Sequence, residues 1–379
     1  MSPPQNRRQS VDAADEAVTA YRRPRGGVGV RNHVLVAPSV ICSHVVAQRI
    51  ADSTPAAVST PHDHGCAQVG ADHDRTERTL RNVARNPNVA GTLVVGLGCE
   101  HLQSDHLAEE IRRTDVPVRE VSIQAAGGTE RCLERGERLA DELAATAADA
   151  SERRASLSDL TVGIVSSDLD ASTVETASPL VGGVVDALIE AGGLVVVAGT
   201  ERLAAHADRV ARRAATDEVA ETLRTVTDRV TGRPGNVRRI TRRAGDASFD
   251  EVVGHWGDAP VTEAVAYGER ASADSGLVVA DAPSRFEEAT TALAAAGASV
   301  VVHLTAEGIT TGHPLVPVIK LTGDAATAEL LADDIDVDVR STAVSDVLAT
   351  VRRVADGERT AAERHGLTEF AVSRRGPSQ

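Results

Sequence analysis

Short runs of β-branched and aliphatic residues alternate with helical segments along most of the sequence, and this alternation constrains the fold more than any other feature. HVLVAPSV (33–40) predicts a buried strand, and residues 42–51 continue with helical spacing. The order recurs through VAGTLVVGLG (89–98) and a long helix at 129–149, and it resumes after residue 158. Such alternation favours parallel sheets covered by helices on both faces. We therefore predict an α/β protein with mainly parallel, Rossmann-like sheets flanked by helices.

A polar, charged stretch at 150–159 divides this pattern into two parts and predicts an interdomain linker. The length of 379 residues is enough for two domains. We expect a disordered N-terminus over 1–20, an N-terminal α/β domain over 21–150 and a C-terminal Rossmann-like domain over 158–379.

The excess of acidic over basic residues limits the kinds of molecule that the protein is expected to bind. The sequence has 55 acidic and 40 basic residues, a net charge of −15. This argues against a nucleic-acid partner, which needs clustered basic residues, and it suits a protein kept soluble in high salt. No apolar run approaches the roughly 18 residues of a membrane span, and the N-terminus lacks the apolar stretch of a secretory signal. We therefore expect a cytoplasmic, halophilic protein that binds neither nucleic acid nor membrane.

The segment PHDHGCAQVG (61–70) places His62, His64 and Cys66 at every second position. In an extended segment, alternate side chains leave the same face. Cys99 and Glu100 follow the next predicted strand, and neighbouring parallel strands lie about 4.8 Å apart. These five side chains are therefore expected to surround one crevice as metal ligands or catalytic groups. Nitrogen, sulfur and oxygen ligands suit Fe(II) or Zn(II), whereas the simpler alternative is a polar loop with incidental histidines.

Further binding candidates follow the last predicted strand of the first half. They are Gln124, Gly127, Gly128 and Thr129. Backbone amides at the start of a helix can hold an anion there, although an ordinary glycine turn has the same sequence. We expect no nucleotide cofactor, because GLG (96–98) lacks the third glycine of a dinucleotide site and the sequence has no GxxxxGK[ST] motif.

Lys320 is the one lysine among the 40 basic residues. An ammonium is compact and its pKa responds to burial, so Lys320 is a candidate base or carboxylate anchor. The alternative is that one lysine was retained by chance. The preceding loop, GITTGHP (308–314), is rich in glycine and suited to close over a ligand. Thr311 and His313 in this loop are therefore candidate binding residues.

Several motifs together resemble the altronate/galactarate dehydratase family over most of the chain. They are RRPRGGVGVRN (22–32), VLVAPSVICS, PHDHGC, RNPNVAG, TLVVGLGCE, IQAAGGT and GHPLVPVIKLTGD. The resemblance implies removal of water from a sugar acid to give a 2-keto-3-deoxy acid, with dependence on iron or another divalent metal. A sister branch splits sulfite from sulfolactate.

The resemblance also implies roles for individual residues and a set of partners. His62, Cys66, Cys99 and Glu100 match metal or acid–base positions, Lys320 matches a family lysine, and Arg31 and Asn32 match a pair suited to grip the substrate carboxylate. A separately encoded small subunit with a SAF domain is expected as partner, together with a homo-oligomer.

The middle of the chain departs from the family pattern. The departures lie at VSSDLDASTVETASPL (165–180) and HWGDAPV (255–261). They leave a non-catalytic paralogue, acting as a binding or regulatory subunit, as an alternative.

Overall fold

The computed structural model describes residues 17–66, 68–231 and 237–374. Over these residues the strands are β1 (Ala17–Arg22), β2 (Val28–Gly29), β3 (His33–Pro38), β4 (Ala57–Ser59), β5 (Val89–Gly96), β6 (Val118–Ser122), β7 (Arg153–Ser156), β8 (Thr161–Ser166), β9 (Leu194–Val197), β10 (Val261–Val265), β11 (Gly276–Ala280), β12 (Val300–Leu304), β13 (Val318–Thr322) and β14 (Val337–Asp338). The α-helices are α1 (His44–Ser53), α2 (Ala71–Ala84), α3 (Ser104–Arg112), α4 (Ile123–Ala126), α5 (Thr129–Ala148), α6 (Ser178–Glu190), α7 (Ala207–Arg212), α8 (Asp217–Thr231), α9 (Val237–Asp246), α10 (Phe249–Val253), α11 (Phe286–Ala296), α12 (Ala325–Leu330), α13 (Val344–Ala355) and α14 (Ala361–His365).

The first half forms a four-stranded parallel sheet in the order β4-β3-β5-β6. Val34 and Leu93 on one face pack with Ile50 of α1 and Leu143 of α5. Parallel pairing needs a crossover between successive strands, and the helices supply these crossovers. All four carboxyl ends therefore meet at one edge of the sheet.

The second half forms a seven-stranded parallel sheet in the order β10-β11-β9-β8-β12-β13-β14. Its central strands are short valine-rich runs that are buried on both faces, as a parallel sheet between helices requires. The chain passes from β8 to β9 on one side and later places β12 on the other side of β8. The strand order therefore reverses between β8 and β12, where open α/β sheets bind ligands.

A shared apolar cluster joins the two sheets. It contains Leu35 of the first sheet, Leu80 of α2, Leu293 of α11 and Val301 of the second sheet. The α/β prediction with mainly parallel, helix-flanked sheets is confirmed. None of the helices in the described ranges combines the length and apolar character that a membrane crossing needs.

The predicted disorder over 1–20 is wrong for residues 17–20, and the predicted linker at 150–159 contains a strand. β1 pairs antiparallel with β7, with Val18 opposite Ala155, and β2 extends this small sheet. Val18 and Ala20 alternate inward and are buried. Two inward-facing residues are too short a pattern to predict a strand when the pairing partner lies far along the chain. Residues 1–16 lie outside the described residues.

Candidate active site

In the PHDHGC segment, each ring nitrogen of His62 and of His64 has a hydrogen-bond partner in the protein. His62 Nε2 lies 2.8 Å from the carbonyl oxygen of Pro38, and its Nδ1 accepts the amide of His64 at 3.1 Å. His64 Nε2 lies 2.9 Å from the carbonyl oxygen of Val372, and its Nδ1 lies 2.8 Å from Gln68 Nε2. Because a carbonyl can only accept, Nε2 carries the proton in both rings and Nδ1 accepts. Neither imidazole has a free lone pair in this arrangement.

Glu100 is occupied in a similar way. It is 3% exposed, and its Oε1 accepts the Ser39 hydroxyl at 3.0 Å and the Leu97 amide at 3.1 Å. Its Oε2 accepts the Gly98 amide at 2.6 Å. Glu100 therefore joins the loops that follow β3 and β5.

The five predicted metal ligands do not fit a preformed coordination site. Within residues 17–66, 68–231 and 237–374, no group of three or more His, Cys, Asp or Glu side chains is placed to hold a metal ion. Cys66 and Cys99 are exposed. The side chains of His62, His64 and Cys66 do not alternate as in a strand, because Gly65 adopts φ 90°. A Cβ at Gly65 would lie 2.2 Å from the Ser39 carbonyl oxygen. The segment turns at this glycine, so residues 62–66 are not extended.

Arg31 and Asn32 are held by protein groups, which favours a structural role over their predicted grip on a substrate carboxylate. The Arg31 guanidinium forms a two-point ion pair with Glu363, at 2.8 and 3.0 Å, and donates to three backbone carbonyls. Asn32 donates to the Ala147 carbonyl at 2.8 Å and accepts from Arg23 at 2.9 Å. Both residues precede β3 and so lie at its amino end, away from the edge where ligands bind.

Replacing Arg31 by methionine is expected to lower the free energy of unfolding by about 3 kcal/mol, because Glu363 would lose its partner in a partly buried pair. Urea unfolding measures this change. Arg22→Met is the control, since Arg22 and Asp159 form an exposed pair whose loss costs less than about 1 kcal/mol. Unchanged stability together with a raised KM would restore the predicted role in substrate binding.

The carboxyl ends of β5 and β6 lie side by side, as predicted. The amide of Gln124 donates to the Leu97 carbonyl at 3.0 Å, and the Gln124 side chain packs against Gly98. Gly127 and Gly128 have φ 84° and 120° and lead into Thr129, the first residue of α5. A binding role for Gln124, Gly127, Gly128 and Thr129 stays a prediction.

Lys320 is the middle residue of β13, which lies next to the edge strand β14 of the second sheet, and it is fully buried. Its Nζ donates to the carbonyl of Thr310 in the loop 308–314. Burial lowers the pKa of Lys320, and the nearby carboxylates of Asp336 and Asp334 oppose this change. His303 is its register partner on β12, so both side chains share one face. A lone histidine within the apolar run VVVHL was the sequence signal for His303.

The C-terminal segment brings two distant candidates together. The Phe370 ring centroid lies 6.4 Å from that of His62 and 5.6 Å from that of His313. His313 is buried, its Nδ1 accepts the Leu315 amide at 3.2 Å, and its Nε2 has no partner among the described residues. Thr311 is half-buried in the same loop.

Two cavities in the described structure meet at Arg285 and Glu287, which line both. The first, of about 520 Å³, is also lined by Pro61, Pro314 and Phe370. The second, of about 490 Å³, lies at the carboxyl edge of the seven-stranded sheet and is also lined by Ser167, Glu201, Ser284, Glu307 and Ile309. The loop 308–314 thus runs from one cavity to the other, above Lys320. Sequence reasoning missed Ser167, Glu201 and Ser284 as a site, because only the order of the strands places them together.

Two family models and several curated proteins match this chain, and their descriptions agree on one family. A model described as D-galactarate dehydratase/Altronate hydrolase, second domain, matches residues 20–148, and one described as D-galactarate/Altronate dehydratase, C-terminal, matches residues 252–378. A (2R)-sulfolactate sulfo-lyase subunit beta from Chromohalobacter salexigens is 29% identical over 93% of this chain and 96% of its own length. Altronate dehydratases from Bacillus subtilis and Escherichia coli are 28% and 27% identical over 94% and 97% of this chain, and 77% and 79% of their own lengths. The chain therefore belongs to the D-galactarate dehydratase/altronate hydrolase family of lyases.

Proposed function

We propose that this chain is the large subunit of a hydro-lyase that removes water from a sugar acid and yields a 2-keto-3-deoxy acid. The match to both family models, together with two relatives named altronate dehydratase that align over nearly all of this chain, carries this proposal.

The reaction takes the proton α to a carboxylate and expels the β-hydroxyl. This proton is weakly acidic, so the site needs a positioned base that is unprotonated at the working pH, which for a lysine means the neutral amine. We assign the base to Lys320, because burial lowers its pKa and because its Nζ contacts the loop 308–314, which runs from one cavity to the other. Movement of the Thr310 carbonyl would free the amine for substrate. His62 and Glu100 act as positioning residues, since the protein already occupies their polar atoms.

A second candidate function is a sulfolactate sulfo-lyase. The observation in its favour is that this chain spans 96% of the sulfo-lyase subunit beta but 77% and 79% of the altronate dehydratases. The name of that relative also supports a multi-subunit enzyme. A small SAF-domain subunit therefore stays the predicted partner.

The test is to purify the chain without oxygen or chelator, alone and co-expressed with a small SAF-domain subunit of the kind predicted, and to supply altronate, galactarate and sulfolactate separately. We expect a 2-keto-3-deoxy acid from at least one sugar acid and no sulfite from sulfolactate. Sulfite release would favour the second candidate. Absence of both products from the folded, assembled protein would contradict a lyase activity and favour the non-catalytic paralogue.

Dependence on Fe(II) stays a prediction from the family resemblance, one that the described side chains do not support as a preformed site. Elemental analysis of the same preparation tests it. About one iron per chain would require the ligands to rearrange or to come from a partner.

A further inference from the structure

The cavity at the carboxyl edge of the seven-stranded sheet contains a buried carboxylate that the protein satisfies only in part. Glu201 lies in the turn that follows β9, four residues after the strand ends, and is 3% exposed. Its Oε1 accepts the amide of Ser284 at 2.6 Å, whereas its Oε2 has no partner among the described residues. A buried carboxylate oxygen without a donor is costly, and a ligand that donates a hydrogen bond removes this cost.

A neighbouring guanidinium keeps this carboxylate in place. Arg202 is 1% exposed and donates to the Ser166 carbonyl and, at 2.9 Å, to the Ser284 hydroxyl. It lies close enough to Glu201 and Asp168 for both carboxylates to act on its charge. Arg202 therefore offsets the negative charge of Glu201, which lines the cavity and has one carboxylate oxygen without a donor among the described residues.

The rest of the lining is also rich in hydrogen-bond acceptors. Glu287, Glu288 and Glu307 contribute carboxylates, and Arg285 is the basic side chain of the lining. Arg285 is 68% exposed and is paired with Glu287 at 3.2 Å and Glu288 at 3.4 Å. A ligand that fits here offers several donors and at most one or two anionic groups, which Arg285 can bind at the rim.

The hydroxyl of Ser167 adds a second polar contact deep in the same cavity. It lies 3.0 Å from His303 Nε2, and the His303 ring packs 4.6 Å from the Phe286 ring. Ser167 follows β8 and lies at the reversal of the strand order, where ligands are expected. The volume of about 490 Å³ falls within the roughly 300–1,000 Å³ of small-molecule sites.

We infer that this cavity binds the hydroxyl groups of the substrate and that Glu201 thereby selects a polyhydroxy acid over sulfolactate. The inference rests on the proposed lyase function and decides between its two candidate substrates. A sugar acid offers a row of hydroxyl donors to Glu201 Oε2 and Ser167, with its carboxylate at Arg285. Galactarate has four hydroxyls between its two carboxylates. Sulfolactate has one hydroxyl and carries its two anionic groups on only three carbons, so one anion would face the buried Glu201 carboxylate and be repelled.

The experiment measures binding to the assembled protein by titration calorimetry with galactarate, sulfolactate and adipate. Adipate has the two carboxylates and carbon chain of galactarate but no hydroxyls. We expect galactarate to bind at least tenfold more tightly than either of the other ligands. Glu201→Gln should weaken galactarate binding by about tenfold to a hundredfold, the range for hydrogen bonds to a charged group, and should leave adipate unchanged.

Two further variants make the test specific. Glu221→Gln, on the exposed surface of α8, is the matched control and should leave all three affinities unchanged. Ser167→Ala should weaken galactarate alone, and it carries the test if Glu201→Gln does not fold.

The outcomes separate this inference from the proposed function. Equal affinity for sulfolactate and galactarate, or equal weakening of galactarate and adipate by Glu201→Gln, would overturn the inference. If the protein turns over a sugar acid and the affinity for it is unchanged in both Glu201→Gln and Ser167→Ala, the inference would be overturned and the proposed lyase function would stand. Selective binding that depends on Glu201, without any product, would contradict the lyase activity and support this site.

Discussion

Replacing Lys320 by methionine is expected to reduce turnover of a sugar acid by about 10²–10⁴-fold, the usual contribution of a general base. The protein should stay folded, because methionine fills a similar volume and removes a buried charge whose side chain has one hydrogen-bond partner, the Thr310 carbonyl. Steady-state kinetics and thermal unfolding of the same preparation measure the two effects separately.

Lys320→Arg is the matched control for charge. Arginine keeps the positive charge but cannot supply a neutral amine, so a base at this position predicts a loss as large as that of methionine. If Lys320 only anchors a carboxylate, the Lys320→Arg variant should instead retain much of the activity, and the Lys320→Met variant should show a raised KM. The wild-type pH profile adds a further check, since burial lowers the lysine pKa and the acidic limb of kcat/KM should therefore lie below the ordinary lysine range.

Most strands of the two parallel sheets could be predicted from the sequence because each has a local apolar signal, whereas β10 (VTEAV) and the two-residue β14 were not predicted. Runs such as LVVV in β9 and GLVVA in β11 are apolar throughout, as is typical of strands buried on both faces. The loops after β3, β4, β5 and β6 also converge at one edge, as the parallel order required. The short strands β1 and β7 were missed because neither has an apolar run.

The roles of individual side chains could not be predicted, because their partners lie far along the chain. His64 meets the carbonyl of Val372, and Arg31 meets Glu363, more than 300 residues away in each case. These contacts favour a structural role for His64, which was predicted as a metal ligand, and for Arg31, which was predicted to bind the substrate carboxylate. Glu201 shows the converse, since only the fold reveals a buried carboxylate facing a cavity.

Acidification from pH 7 to 4 is expected to unfold the protein, because buried histidines gain protons only when the chain unfolds. Burial is the main cause that lowers the pKa of His62 to about 4 and those of His303 and His313 to about 3. The same side chains titrate at about 6.5 in an unfolded chain. Between about pH 6.5 and 4 the unfolded state therefore binds more protons, and the free energy of unfolding falls as the pH falls.

The expected loss is comparable with the whole stability of the fold. Each histidine contributes about 1.4 kcal/mol per pH unit within this window, so three of them reach several kcal/mol against a total of about 5–15 kcal/mol. Urea unfolding at pH 7, 6 and 5 measures the slope, in 1 M salt to screen the repulsion that a net charge of −15 adds. His313→Leu should make the slope shallower by about one proton, because His313 packs against Phe370 and its Nε2 has no partner among the described residues. A stability independent of pH in both the wild type and His313→Leu would contradict neutral burial of these rings.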